Sequence, residues 1–281
     1  MNQLAIFAHF DHENKIRDYV VYHIKALYDA GIEVVFISNS QLNKGECARI
    51  QAFVSQIIKQ PQNIGFDFFI WGSYIKTHKE KILQTDRLIL TNSSVIGPIF
   101  PIRPIIDSMS AYPVWGMTEN YDTRYHVQSY FMAFNKNVLH QPFFWDYFEN
   151  IIPFTDIQSV ISAYEITWAH YFSQHGYKPA IFSPPHLGYK KDTIIKLFCF
   201  SPPRQNEQFL SCRQTGIAQV IKIRSPIDPC YAYALPLIKA GMPYIKVKLF
   251  GQSIKRKLRS QLQKHLTEAN ISMVDMSDYW L

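Results

Sequence analysis

The 281-residue sequence contains neither GxGxxG nor GxxxxGK[ST]. That excludes the dinucleotide fingerprint and the Walker loop, so any phosphate bound here is held in another way. The four cysteines, Cys47, Cys199, Cys212 and Cys230, are far apart and form no CxxC. Such spacing suits neither a zinc site nor a disulfide framework, and a reducing compartment is the expectation. No run of about 18 apolar residues occurs, so no segment is expected to span a bilayer. The first stretch, MNQLAIFAHFDHENK, lacks the basic start and long apolar region of a signal peptide. Internal repeats and low-complexity tracts are also absent.

What remains is a chain rich in core-forming residues, 47% hydrophobic and 15% aromatic, which argues against disorder. Its net charge of +7 suits an anionic partner (nucleotide, nucleic acid or acidic lipid surface), and suits plain solubility equally well.

The pattern along the chain alternates. Leu4 to Ala8 reads as a strand, and Ile16, Val20, Ile24 and Leu27 recur at helical spacing up to Gly31. Ile32 to Ser38 follows as a second buried strand, completing a βαβ unit with a right-handed crossover. Cys47, Ile50, Val54 and Ile57 predict a further helix, ended by Pro61. Strands are expected at 86–92, 114–118 and 125–135, helices at 138–150 and 157–175, and a short strand at KPAIFS. Beyond Ser183 prolines punctuate the chain, and only YAYALPLIKAG and SIKRKLRSQLQKHL read as helical. The alternation predicts an α/β fold with a mixed sheet. The expected division is a domain over 1–185 and a helical and loop appendage over 186–281 that packs on it.

Ligands of open α/β sheets bind outside the carboxyl ends of strands, and three predicted strands end in polar clusters. The first ends at His9 with Asp11 close behind, the second in Ser38-Asn39-Ser40, the third in Asn92-Ser93-Ser94. Any one of these reads as a loop cap, whereas three together read as the rim of a pocket. Asn63-Ile64-Gly65 is a turn leading to Asp67, a carboxylate among Phe66, Phe68, Phe69 and Trp71. Such a group needs a hydrogen-bonding partner, either a ribose or base edge or the backbone amides of a helix start. Glu119, Asp122, Arg124, His126, Gln128 and Ser129 crowd one short span, and strand alternation puts His126, Gln128 and Tyr130 on one face. A buried histidine satisfied by backbone and a ligand-binding histidine both fit His126. Further on, Val160, Tyr164, Trp168 and Phe172 form an apolar helical stripe with Glu165 on its flank, between Ile161 and Ala169. A carboxylate there is half withdrawn from water, as a general base would be, and an amphipathic helix carries surface glutamates in the same place.

The stretches RLILTNSSVIGPIFP, VWGMTEN and YHVQSYFMAFNKNVL, with a weaker return at IDPCYAYALPLIKAGMPYIKVKL, resemble the rhamnan synthesis protein F family of bacterial polysaccharide glycosyltransferases. The resemblance implies a GT-A-like mixed, mainly parallel sheet flanked by helices, with a C-terminal appendage. It implies transfer of a sugar, rhamnose favoured, from a nucleotide donor to a cell-surface polysaccharide or lipopolysaccharide acceptor. On the same footing, Asn63, Gly65, Asp67, Asn92, Ser93, Ser94, Gln128 and Ser129 would contact the donor, joined as candidates by His9 and Ser38 at the strand ends and by His126 on the Gln128 face. Glu165 would be the general base of an inverting reaction, with Glu119 and Asp122 in reserve.

One departure matters. The family pattern reads Asn-Asp-Ser where this chain has Asn92-Ser93-Ser94, and a serine hydroxyl offers a divalent cation no charge. No metal ligand is therefore assigned. Three readings follow: Mg2+ or Mn2+ weakly held, the diphosphate neutralised by basic groups such as Arg124, Lys76 and Lys79, or a silent sugar-nucleotide-binding scaffold. The basic run of Lys246, Lys248, Lys255, Arg256, Lys257 and Arg259 reads as a solvated face or as a contact with anionic lipid. No nucleic-acid partner is expected, since no recognition motif accompanies the charge. The expected location is cytoplasmic, at the inner face of the plasma membrane.

Overall fold

A computed structural model describes residues 2–60, 64–120, 125–182, 228–250 and 256–272. Asn63, Asp122, Arg124, Cys199, Cys212 and the predicted loop region 186–227 lie outside the described residues.

A seven-stranded sheet organises the chain. In chain order its strands are β1 (Gln3–His9), β2 (Glu33–Ser38), β3 (Gln56–Lys59), β4 (Arg87–Asn92), β6 (Val114–Gly116), β9 (Phe131–Asn135) and β10 (Ala180–Ile181). Across the sheet they run β10-β6-β9-β4-β1-β2-β3. Only β9 runs against its neighbours β4 and β6; every other pairing is parallel. The mixed, mainly parallel sheet flanked by helices is the architecture found. Two short ribbons complete it: β5 (Val95–Ile96) with β11 (Ile245–Lys246), and β7 (Glu119–Asn120) with β8 (His126–Val127).

The central strands are buried on both faces, and side-chain alternation sorts them into two cores. Ala5, Phe7, Val34, Phe36 and Ile89 face α1 (Asp18–Asp29) and the C-terminal segment. Leu4, Ile6, Val35, Leu88 and Leu90 face α3 (Phe66–Thr77), α7 (Pro142–Glu149) and α9 (Trp168–Gln174). Each such side chain, fully buried, contributes about 1.5–3 kcal/mol. Helix α1 buries the predicted stripe, with Val20, Ile24 and Leu27 all inaccessible, and stops at Gly31, whose φ is 74°.

Two expectations are corrected. The helix predicted through Ile57 is only α2 (Lys44–Ala48) and a 3-10 turn at Gln51–Phe53. Val54 is extended, Ser55 N donates to Val34 O at 2.8 Å, and the chain enters the sheet as edge strand β3. Likewise 125–135 is two strands, because Gln128 N turns away to donate to Thr118 O at 2.9 Å. The described parts of the C-terminal region, 228–250 and 256–272, insert Cys230, Ala234, Leu237, Tyr244, Phe250, Leu262 and Leu266 into the core on the α1 side. Among the described residues, no helix is long and apolar enough to cross a membrane.

Candidate active site

Strand β4 has β1 parallel on one side and β9 antiparallel on the other, with Asn92 opposite Ala8 and Thr91 opposite Phe131. The carboxyl ends of β1 and β4 and the amino end of β9 therefore coincide. Residues just beyond them, His9-Phe10, Ser93-Ser94 and Gln128-Ser129, meet around a cleft of ≈ 650 Å³. Asn39, Asp67, Asn92, Asn120, His126, Glu165, Asp228, Tyr231, Lys246 and Lys248 also line it.

Asn92 ties the floor together. Its Nδ2 donates to Asp67 Oδ2 at 2.6 Å, and its Oδ1 accepts from Ser94 N at 3.1 Å and Ser94 Oγ at 2.7 Å. The Ser93 backbone is fixed, its N donating to Ala8 O at 3.1 Å and its carbonyl accepting from the Tyr19 hydroxyl at 2.8 Å. Among the described residues its hydroxyl bonds only the Phe10 backbone, at 3.5 Å, the outer limit of a hydrogen bond.

Asp67 lies in the first turn of α3 but is not its cap. Gly65 takes that position at φ 72°, and a Cβ there would meet Phe69 Cβ at 2.3 Å. Only glycine combines that left-handed backbone with so close an approach. Asp67 is thus released to bond Asn92. Burial, and next the Glu165 carboxylate, push its pKa up to about 6 against the opposing pull of the Asn92 amide.

Glu165 closes a π-helical turn, Ile161–Glu165, in which Ile166 N bonds Ile161 O at 3.0 Å. Such turns shift the phase of a helix and occur often at functional sites. The predicted stripe still anchors the element, with Val160, Trp168 and Phe172 buried, and Trp168 Nε1 donates to Val127 O at 2.8 Å. Glu165 Oε1 faces Ser129 N at 3.4 Å.

Gln128 is held on all sides: its Oε1 accepts from Thr118 Oγ1 at 2.8 Å and Cys230 Sγ at 3.0 Å, and its Nε2 donates to Asp228 Oδ2 at 3.0 Å. Asp228 also caps the helical turn Pro229–Ala232, Oδ1 accepting from Cys230 N at 2.8 Å. Burial raises the pKa of Asp228, offset mainly by Lys246. Lys246 Nζ stands 4.6 Å over the Tyr130 ring, within cation–π reach.

The structure thus brings His9, Asp67, Asn92, Ser93, Ser94, His126, Gln128, Ser129 and Glu165 to one cleft. His9 reaches its edge as a neutral imidazole, burial lowering its pKa to about 4, with Nδ1 2.8 Å from the Ser38 hydroxyl. Ser38 is buried behind it and Gly65 shapes the start of α3; neither lines the cleft, nor does Glu119, which pairs with Val127. Lys79 lies over the Trp145 ring and beside Glu149, and Lys76 is exposed; both are outside the lining. Sequence reasoning missed Asp228, Tyr231, Lys246 and Lys248 as site residues. The available signal was the return of the family-like pattern at IDPCYAYALPLIKAGMPYIKVKL.

The β4 end does not fit a divalent cation. Asn92 Oδ1 is taken by Ser94, Asp67 Oδ2 by Asn92, and the serines offer uncharged hydroxyls where hard cations require several oxygen ligands, carboxylates foremost. Among the described residues no group of three His, Cys, Asp or Glu is arranged to hold a metal.

Residues 34–200, more than half of the chain, match the model of the family described as rhamnan synthesis protein F. Over 193 residues the chain is 28% identical to "Virulence protein VirA" of Vibrio anguillarum, covering 67% of this chain and 60% of that one. It is 27% identical over 160 residues to "Uncharacterized protein y4gN" of Sinorhizobium fredii, covering 55% and 42%. These matches span less than two thirds of either relative's length. Among solved structures, mannosyltransferase PcManGT from Pyrobaculum calidifontis, in complex with GDP-Man and Mn2+, is 10% identical with a TM-score of 0.43, over 95% of this chain and 80% of that one. The apo form of glycosyltransferase GlyE from Streptococcus pneumoniae is 11% identical with a TM-score of 0.45, over 96% and 62%. Both scores describe a loose likeness in chain course.

Proposed function

Because this chain belongs to the rhamnan synthesis protein F family, we propose that its cleft transfers a sugar from a nucleoside-diphosphate donor to a hydroxyl of a growing polysaccharide. Rhamnose is the favoured sugar, on the family's description alone. The observation that carries this reading is convergence: segments around residues 10, 67, 92–94, 128 and 165 share one cleft of ≈ 650 Å³. That volume suits a small-molecule ligand, and the exposed faces of Phe10, Ile157 and Tyr231 at its lining suit a sugar ring or base.

Three carboxylates line the cleft, and their bonding separates them. Asp67 is engaged by Asn92 at 2.6 Å, and Asp228 by Gln128 at 3.0 Å and Cys230 N at 2.8 Å. Among the described residues Glu165 has only the 3.4 Å contact with Ser129 N, which leaves its oxygens open to receive a proton. In the proposed step Glu165 takes the proton of the acceptor hydroxyl while that oxygen bonds to C1 of the donor sugar. The bond from C1 to the diphosphate oxygen breaks, and the nucleoside diphosphate leaves with the electron pair, inverting C1. General-base action supplies about 10²–10⁴-fold; alignment and stabilisation of the leaving group supply the rest.

A second reading, a sugar-nucleotide-binding scaffold without turnover, draws on the uncharged Ser93. One experiment separates the two: UDP-, GDP- and dTDP-sugars are offered with oligosaccharide acceptors, and nucleoside-diphosphate release is followed. Acceptor-dependent release from at least one donor is expected. Donor binding without release would establish the scaffold, and no binding by any donor would refute both readings.

A further inference from the structure

The segment after Gly241 delivers charge to the strand end that lacks a carboxylate. Strand β11 pairs antiparallel with β5, Lys246 opposite Val95 and Ile245 opposite Ile96. Val247 N donates to Ser94 O at 3.0 Å, so the strand is tied to the polar end of β4 itself. The approach is built in. Gly97 has φ 140°, and a Cβ there would lie 2.3 Å from Pro243 O, which accepts from Ile99 N at 2.8 Å. Tyr244, next along, is buried with its hydroxyl 2.9 Å from His23 Nε2.

This anchoring holds Lys246 half-buried over Tyr130 and leaves Lys248 exposed, both at the cleft. Among the described residues neither lysine forms an ion pair, although Asp228 feels the charge of Lys246. Both lysines thus line the same cleft as Asn92–Ser94, and Val247, between them in the chain, is bonded to Ser94 O, at a strand end that carries no carboxylate of its own. Both lysines belong to the run whose charge suggested a solvated or lipid-facing surface; their position in the cleft gives them a different task.

We propose that Lys246 and Lys248, in place of a divalent cation at the end of β4, neutralise the donor's diphosphate and stabilise it as it leaves. The inference rests on the transferase reading above. An ammonium aimed at the departing phosphate oxygen acts where negative charge develops, the arrangement that lowers a barrier most.

The test is calorimetry with UDP, GDP, dTDP and inorganic pyrophosphate on the full chain, with EDTA and then with Mn2+. Binding of at least one nucleoside diphosphate is expected in EDTA, with little change on adding Mn2+. Lys246→Gln is expected to weaken it by at least about tenfold, the value of one charge-assisted hydrogen bond. Lys246→Arg should recover most of the loss, and Lys246→Gln with Lys248→Gln should weaken inorganic pyrophosphate as well as the nucleoside diphosphate. If Lys246→Gln melts early, the exposed Lys248→Gln alone carries the test, with a smaller loss expected and none overturning the proposal. Binding that needs Mn2+, or a Lys246→Gln variant that binds normally, overturns this inference and leaves the transferase reading standing. Failure of every nucleoside diphosphate to bind refutes both together.

Discussion

Strands β2 and β4 are both parallel to β1, flank it, and end in nearly the same residues, Ser38-Asn39-Ser40 and Asn92-Ser93-Ser94. At β2 the hydroxyls turn inward. Ser38 Oγ lies 2.8 Å from His9 Nδ1 and accepts from Ser40 N at 3.0 Å. Ser40 Oγ accepts from Asp11 N at 2.7 Å and donates to Asp11 O at 3.0 Å. Behind that turn Asp11 pairs with buried Arg17 at 2.8 Å, and only Asn39 of the trio reaches the cleft. At β4 all three residues line the cleft, with Ser93 half-buried and Ser94 exposed. The same side chains make a sealed turn in one place and a binding edge in the other. What differs is the neighbour: the β1–α1 loop bonds across the end of β2 through Asp11 and Ser40, whereas β4 lies beside β9, which runs antiparallel to it and brings Gln128-Ser129 to the same end.

Glu165→Gln should cut acceptor-dependent turnover by about 10²–10⁴-fold while donor binding, read by calorimetry, holds. Turnover close to normal would remove Glu165 from the base role. A smaller contrast comes from trimming one hydroxyl at each end. Ser38→Ala leaves His9 and Ser40 N without their buried partner, and unfolding stability should fall by about 1–3 kcal/mol in urea titrations. Ser94→Ala should stay within about 0.5 kcal/mol of the parent, as exposed substitutions do. Its loss should appear in donor affinity instead, about fivefold for one neutral hydrogen bond. If both variants lose equal stability, the two ends are not distinct in kind.

Much of this fold was legible because its signals were local. β1, α1 and β2 carry clean periodicity, and the structure buries Val20, Ile24 and Leu27 as that spacing requires. The polar strand ends were legible as such, but their division into cap and cleft was not, since it depends on Asp11, Arg17 and β9. The misread stretch at 47–57 had genuine helical spacing; pairing with β2, through Ser55 N to Val34 O at 2.8 Å, overrode it. Asp67 was visible as an odd carboxylate among aromatics, while its partner Asn92 lies 25 positions away. Asp228 and Lys246 were the hardest. Each acquires its role from a residue 100 or more positions distant, Gln128 in one case and Tyr130 in the other, and the family-like return at IDPCYAYALPLIKAGMPYIKVKL marks the segment without naming those partners. A run of lysines describes charge and says nothing about which of them turns toward a cleft.

The two strand ends should also titrate in opposite senses, which gives the smallest effect and the finest test. His9, at the sealed end, has its pKa lowered to about 4 by burial, so the unfolded chain binds its proton more tightly. Its contribution to stability is present above the ordinary histidine pKa of 6.5 and is lost as pH falls toward 4. His23, buried with a pKa lowered to about 3, acts in the same sense. Asp67, at the open end, has its pKa raised from 3.8 to about 6, so the folded chain holds its proton more tightly. Its contribution is favourable at low pH and is lost as pH rises through that interval, leaving a cost on the order of 1 kcal/mol at pH 7 once its partial exposure is allowed for. In the parent the two slopes partly cancel over the shared range. Asp67→Asn keeps an oxygen for the Asn92 amide and removes the titration, so only the histidine slope remains. Urea titrations from pH 4 to 7 should then show the variant gaining on the parent as pH rises and losing stability more steeply on acidification. A constant difference between them across that range would mean that neither burial nor the Glu165 carboxylate raises the Asp67 pKa in the folded chain.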